Sequence, residues 1–179
     1  MSEYYRINIA GLERDLVKCP INDKLDIAGF IIFGDVEMTV KASEELLKKL
    51  PEFDYIITPE AKSIPIAYEM ARQSGKKYFV ARKKAKLYME KPVTVEVRSI
   101  TTDAVQTLIL DGAEGEQMRG KRVVIVDDVI STGESLKAME KLCAAFDANV
   151  VAECAILAEG DAAKRDDIIF LQELPLFFK

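Results

Sequence analysis

Apolar and polar positions repeat along this chain with two periods, and each period predicts an element. Glu3–Ala10, "EYYRINIA", alternates with period two and predicts a strand, with a turn following at "GLERD" (residues 11–15). Asp35–Leu50, "DVEMTVKASEELLKKL", carries its apolar residues at helical spacing and stops before Pro51, which predicts a helix. "FDYIITP" (53–59) is a short apolar run closed by proline, the pattern of a buried strand. Ser63–Gly75 joins a possible Ser cap, a Pro in the first turn and a terminal Gly, the marks of a second helix. "KYFVAR" (77–82) predicts another strand, and "KPVTVEVRSITTDAVQTLILDG" (91–112) predicts a hairpin turning near Thr102 and Asp103. Beyond it, "GEQMRGKR", Gly115–Arg122, reads as a surface turn. The strand "RVVIVDD" (122–128), the helix "SLKAMEKLCAAFDA" (135–148) and the strands "VVAECAILA" (150–158) and "DIIFLQEL" (167–174) complete the chain.

Buried strands separated by helices of this length predict an α/β fold, with a central, mostly parallel sheet covered by helices on both faces. No repeat, low-complexity tract or Pro/Gly-rich linker interrupts the pattern, so residues 1–179 read as one domain. In such sheets ligands bind outside the carboxyl ends of the strands.

Composition narrows the function without naming it. A chain of 179 residues, 49% hydrophobic and 31% charged, can bury one substantial core and is ordinary for a globular protein. Its formal charge of −5 argues against nucleic-acid binding, which needs a basic footprint. No apolar run approaches the roughly 20 residues of a membrane helix, and "MSEYYRINIA" lacks the marks of a signal peptide. Cys19, Cys143 and Cys154 are odd in number and scattered, so reduced, packed thiols and a cytoplasmic location are expected. Histidine is absent, which removes Ser-His and Cys-His catalysis and any His-ligated metal. The basic stretch Gly75–Lys91 stands out in an acidic chain. It is either a solvated lysine-rich face or part of an anion site.

The densest chemistry lies in "RVVIVDDVISTGES", Arg122–Ser135. Its strand delivers Asp127 and Asp128 at a carboxyl end, and "STGES" precedes a helix, so backbone N–H groups and the positive end of the helix dipole face that space. Ser131, Thr132 and Ser135 add hydroxyls, and Gly133 allows a positive φ or a close approach. Two carboxylates beside such a phosphate cradle repel its ligand unless they serve sugar hydroxyls, a bridging metal or developing positive charge. A phosphorylated sugar satisfies all three. The plainer alternative is a solvated Asp-Asp turn before a capped helix. A second phosphate pattern, G-x-x-x-x-G-K at Gly115–Lys121, is set aside, because Arg122 replaces the required Ser/Thr and the segment enters a strand instead of leaving one.

"VVIVDDVISTGES" resembles the phosphoribosyl-diphosphate (PRPP) signature of type I phosphoribosyltransferases. "RKKAKL", Arg82–Leu87, is similar to the R-K-x-x-K-L stretch of adenine phosphoribosyltransferases. "PEAKSIPIA" is similar to the diphosphate loop and the helix after it, and "FIIFGD", Phe30–Asp35, to the G-V-V-F-R-D segment near the adenine pocket. "YYRINIAGLERDL" and "RKKAKLYMEKP" also resemble phosphoribosyltransferase-related proteins close to the adenine enzymes. The resemblance runs from Ile27 to the C-terminus. It implies the type I phosphoribosyltransferase fold, with a mobile β-hairpin loop at Pro92–Asp111 and a small hood over the base built from residues 1–35 and parts of 157–179.

It also implies roles. Asp127 and Asp128 are the expected catalytic pair, holding the ribose 2- and 3-hydroxyls and stabilising a positively charged ribosyl transition state. Ser131, Thr132, Gly133, Glu134 and Ser135 are expected on the 5-phosphate. Glu60, Ala61, Lys62 and Ser63, a loop that often carries a cis peptide in the family, are expected on the diphosphate. Arg82, Lys83 and Lys86 join them there, partly across a homodimer. Arg98, Ser99 and Thr101 fall in the mobile loop, and Ile32, Phe33 and Val129 in the base pocket. Mg²⁺ is the expected cofactor, held mainly by PRPP and not by the chain. The chemistry needs no histidine, because diphosphate departure leaves an oxocarbenium-like sugar, which fixed charges stabilise.

Three positions depart from the adenine enzymes. In "EVRSITT" the acid of S-Y-S-L-E-Y is Thr101 and its second Tyr is Thr102; the Arg of F-R-D is Gly34; the final Gly of T-G-G-T/S is Glu134. The expected activity is transfer of 5-phosphoribose from PRPP to a purine, adenine first and xanthine or another base second. The alternative is a PRPP-sensing regulatory domain, against which the acidic chain offers no basic recognition helix.

Overall fold

In a computed structural model, which describes residues 3–98 and 105–179, the chain opens with three antiparallel strands, β1 (Tyr4–Ile9), β2 (Leu12–Asn22) and β3 (Leu25–Gly29). The turn expected at residues 11–15 is confined to Ala10 and Gly11, both at positive φ, and Leu12 already belongs to β2. Helix α1 (Val36–Lys49) follows. Its N-cap Asp35 accepts the Met38 N–H at 3.1 Å, Lys48 and Lys49 close its last turn, and Pro51 ends it. Arg14 of β2 forks onto Asp35 at 2.6 and 3.0 Å, tying the first sheet to the start of this helix.

The rest alternates. Strand β4 (Tyr55–Pro59), helix α2 (Ile64–Ser74) and strand β5 (Lys77–Ala81) precede an antiparallel hairpin of β6 (Val93–Arg98) and β7 (Val105–Leu110). Helix α3 (Gly112–Met118), strand β8 (Arg122–Ile130), helix α4 (Glu134–Ala145) and strand β9 (Asn149–Glu159) come next, then a 3₁₀ helix at Gly160–Lys164 and strands β10 (Ile169–Leu174) and β11 (Phe177–Phe178). Helix α3 corrects the expected surface turn: only Arg119–Lys121 turn, and the residues before them are helical because Asp111 caps them, accepting the Ala113 N–H.

Strands β10-β9-β8-β4-β5, in that spatial order, form a wholly parallel sheet. Successive residues of a strand face opposite sides, and here both sides are dry. Val124 and Val126 of β8 pack into one core with Met38, Ala42 and Leu46 of α1 and Ile66 and Met70 of α2. Val123 and Ile125 pack into another with Met118 of α3 and Leu136, Met139 and Leu142 of α4. Two-sided burial explains why these strands read as unbroken apolar runs. β11 pairs with β3, so the C-terminus completes the N-terminal sheet in the order β1-β2-β3-β11. Cys143 and Cys154 are packed as expected, and burial raises both thiols, Cys143 to about 12. Cys19 is exposed on β2 instead, on the solvent side of that strand.

Candidate active site

The carboxyl ends of β4 and β8 open into one cleft of about 690 Å³. β4 leads into Glu60–Ser63, where the Glu60–Ala61 peptide is cis. A buried hydroxyl pair holds this loop to the sheet. Thr58 Oγ1 lies 2.8 Å from Ser63 Oγ and from the Val126 carbonyl, and Ser63 Oγ donates to the Pro59 carbonyl at 2.9 Å. Ser63 therefore stands at the N-cap of α2 without making a side-chain cap bond, because its hydroxyl is turned back into the loop. Glu60 is taken up by Arg82 Nε and the Lys83 N–H. That leaves Lys62 as the cation of the loop, with Nζ 3.3 Å from Asp128 Oδ2.

β8 carries the acidic pair. Asp128 is 4% exposed and Asp127 half-buried, and Asp127 Oδ1 accepts the Asp128 N–H at 2.8 Å. Burial first, and the Asp128 charge second, push the Asp127 carboxyl well above the ordinary carboxylate range. The folded chain thus keeps this proton where the unfolded chain releases it, so stability falls as pH rises above the ordinary Asp value of about 4. Asp127→Asn is expected to melt higher than the wild type at mildly alkaline pH, by about 2–4 °C for each kcal/mol relieved. The gap should close toward acid pH. Thermal scans across pH check this, and a gap that does not change with pH would refute it.

After Ile130, Ser131 and Thr132 are exposed, Gly133 takes φ +78° as the N-cap residue, and α4 begins. Gly133, having no side chain, makes no cap bond of its own, and an α-helix N-terminus is where backbone N–H groups can meet an anion. Ser135 and Val129 line the cleft together with Lys83 and the acidic pair. The structure therefore brings together Glu60, Ala61, Lys62, Ser63, Lys83, Asp127, Asp128, Val129 and Ser135. Arg82 is turned to Glu60 and Tyr88, and Lys86 does not line this cleft. Ile32 is buried in the wall of a separate hollow beside α1 and α2, and Phe33 is exposed. Arg98 ends β6; Ser99 and Thr101 lie outside the described residues.

Sequence reasoning missed one wall. Val105, Gln106, Thr107 and Leu108 of β7 line the cleft; the hairpin was read but these residues were not, and four consecutive positions are not what strand alternation would single out. Among the described residues no three carboxylate, thiol or imidazole groups converge as a metal site, and no helix is long and apolar enough to cross a membrane.

The family model for the phosphoribosyl transferase domain matches residues 36–175. An adenine phosphoribosyltransferase of Clostridium acetobutylicum is 32% identical over 147 residues, covering 77% of this chain and 83% of that protein. A hypoxanthine/guanine phosphoribosyltransferase of Methanothermobacter thermautotrophicus is 27% identical over 153 residues, covering 85% and 72%. Among solved structures, an adenine phosphoribosyltransferase from Thermoanaerobacter pseudethanolicus superposes with a TM-score of 0.67 at 22% identity, over 96% of this chain and 95% of that one.

Proposed function

The chain belongs to the phosphoribosyl transferase domain family, and from that premise we propose that it transfers 5-phosphoribose from PRPP to N9 of adenine. It is a phosphoribosyltransferase of the purine salvage type. The observation that carries the reading is the cleft, with Asp127 and Asp128 at the carboxyl end of a central strand, between a cationic loop and the glycine-led start of α4.

The reaction breaks the bond from the anomeric carbon to the diphosphate oxygen and forms one to N9, which loses its proton. Asp127 and Asp128 hold the ribose hydroxyls and stabilise the positive charge that develops on the sugar. Lys62 and Lys83 neutralise the departing diphosphate, and Ser131–Ser135 grip the 5-phosphate through N–H groups and hydroxyls. The hairpin closes over the cleft and excludes water, which would otherwise take the ribosyl group. Mg²⁺ fits as an ion carried in by PRPP, because the buried acid nearest the cleft floor, Asp128, already has Lys62 Nζ 3.3 Å from its Oδ2. When bound it neutralises diphosphate charge. The four-stranded sheet of β1, β2, β3 and β11 serves as the hood over the base. Lys86, outside its own chain's cleft, and the exposed Leu87 and Tyr88 support a homodimer in which this segment reaches a second copy.

A turnover assay with PRPP and Mg²⁺ across adenine, hypoxanthine, guanine, xanthine, uracil and orotate tests this through diphosphate release. Release with adenine is expected. Release with another purine alone overturns the choice of base, and PRPP binding without release from any base overturns transfer in favour of sensing.

A further inference from the structure

The expected 5-phosphate loop has a support that none of the roles above includes. Gly133 is buried although Ser131 and Thr132 before it are exposed. What covers it is Arg165: a Cβ built on Gly133 would lie 2.9 Å from Arg165 Nη1. The guanidinium is held in place from two other sides. Nε and Nη2 each donate to the Asp167 carboxylate at 2.8 Å, a two-point fork, and Nη2 lies 4.0 Å from Glu153 Oε2 on β9. The Arg165 N–H also donates to the Ala162 carbonyl at 3.1 Å, closing the 3₁₀ helix that brings the side chain under the loop. Arg165 does not line the cleft.

We propose that Arg165 is a positioning residue for the 5-phosphate loop: anchored on Asp167, its guanidinium packs against Gly133 from outside the cleft and holds the turn in its phosphate-receiving shape. The physical gain is preorganisation. N–H groups converge on a phosphate only while Gly133 keeps φ +78°, and a glycine left uncovered samples many other conformations. A rigid plane fixed at two points restricts that freedom where a flexible ammonium does not. Asp167 offsets the charge of Arg165, so the effect is chiefly one of shape. This inference rests on the proposal that residues 131–135 take the 5-phosphate.

Calorimetric titration of ribose 5-phosphate, and separately of Mg²⁺-diphosphate, into the full chain tests it. Arg165→Met is expected to weaken ribose 5-phosphate about tenfold, the scale outer supports of a binding site show elsewhere, while diphosphate affinity holds. Asp167→Asn, an exposed change that spares the core, should show a smaller loss of the same kind. Arg165→Lys should behave as Met does, because it keeps the charge and loses the fork. Unchanged ribose 5-phosphate affinity in Arg165→Met, an equal fall for both ligands, or full recovery with Lys each overturns the positioning role. Failure of the wild type to bind ribose 5-phosphate overturns the phosphate-site reading itself, and is seen before any variant is compared.

Discussion

Asp128→Asn is expected to cut kcat by about 10²–10³-fold, the loss that follows removal of one fixed electrostatic group from a reacting centre, and to leave the fold intact. The change is nearly isosteric and sits at a position 4% exposed, so no cavity opens. The ion pair it removes joins a buried carboxylate to Lys62, whose side chain is 51% exposed and can return to water. Its loss therefore costs little stability. In the proposed reaction the same charge has no substitute, because an amide cannot stabilise a sugar that becomes cationic as diphosphate leaves. Steady-state diphosphate release on the best base, beside circular dichroism melting, measures both halves. A variant turning over within about threefold of the wild type would remove Asp128 from the chemistry, since one tenfold step in rate is about 1.4 kcal/mol.

Much of this site was legible because it is local in sequence. Val123–Val126 alternate between two cores, so the run announced a buried strand, and the two carboxylates after it announced a change of environment. The segment 35–50 carried its own cap and stop, and 63–75 its first-turn Pro and closing Gly, but not the expected Ser cap bond. What was hidden depends on distant partners. Nothing in "EAKS" states that Arg82 takes Glu60 or that Ser63 turns back to Pro59 and Thr58, which leaves Lys62 to face Asp128. Helix α3 was missed because Gly112 and Gly115 lower helix propensity. The structure supplies the reason for Gly115, where a Cβ would overlap the Phe146 ring. In the same way, "GLERD" has turn composition, yet Leu12 and Arg14 are fixed in β2 by pairing with Ile9 and Ile7. The role drawn for Arg165 is of this distant kind: α4, β9 and the 3₁₀ helix separate it from the loop it covers.

Gly133→Ala is expected to weaken PRPP and ribose 5-phosphate by about ten- to a hundredfold while base binding holds. Two effects act together. An L side chain at φ +78° is disfavoured by roughly 1–2 kcal/mol, and the added Cβ meets Arg165 Nη1 at 2.9 Å. The turn can escape only by rotating its N–H groups away from the phosphate or by displacing a guanidinium that Asp167 holds at two points. Because the lesion lies at the mouth of α4 and not in a core, melting should fall by only about 2–4 °C per kcal/mol of strain. The double variant Gly133→Ala/Arg165→Met separates the two effects, since residues in contact depart from additivity. If the clash matters, the double variant loses less affinity than the two single losses combined. Strict additivity would mean that the dihedral alone carries the penalty, and wild-type affinity in Gly133→Ala would mean that the phosphate is held somewhere other than this loop.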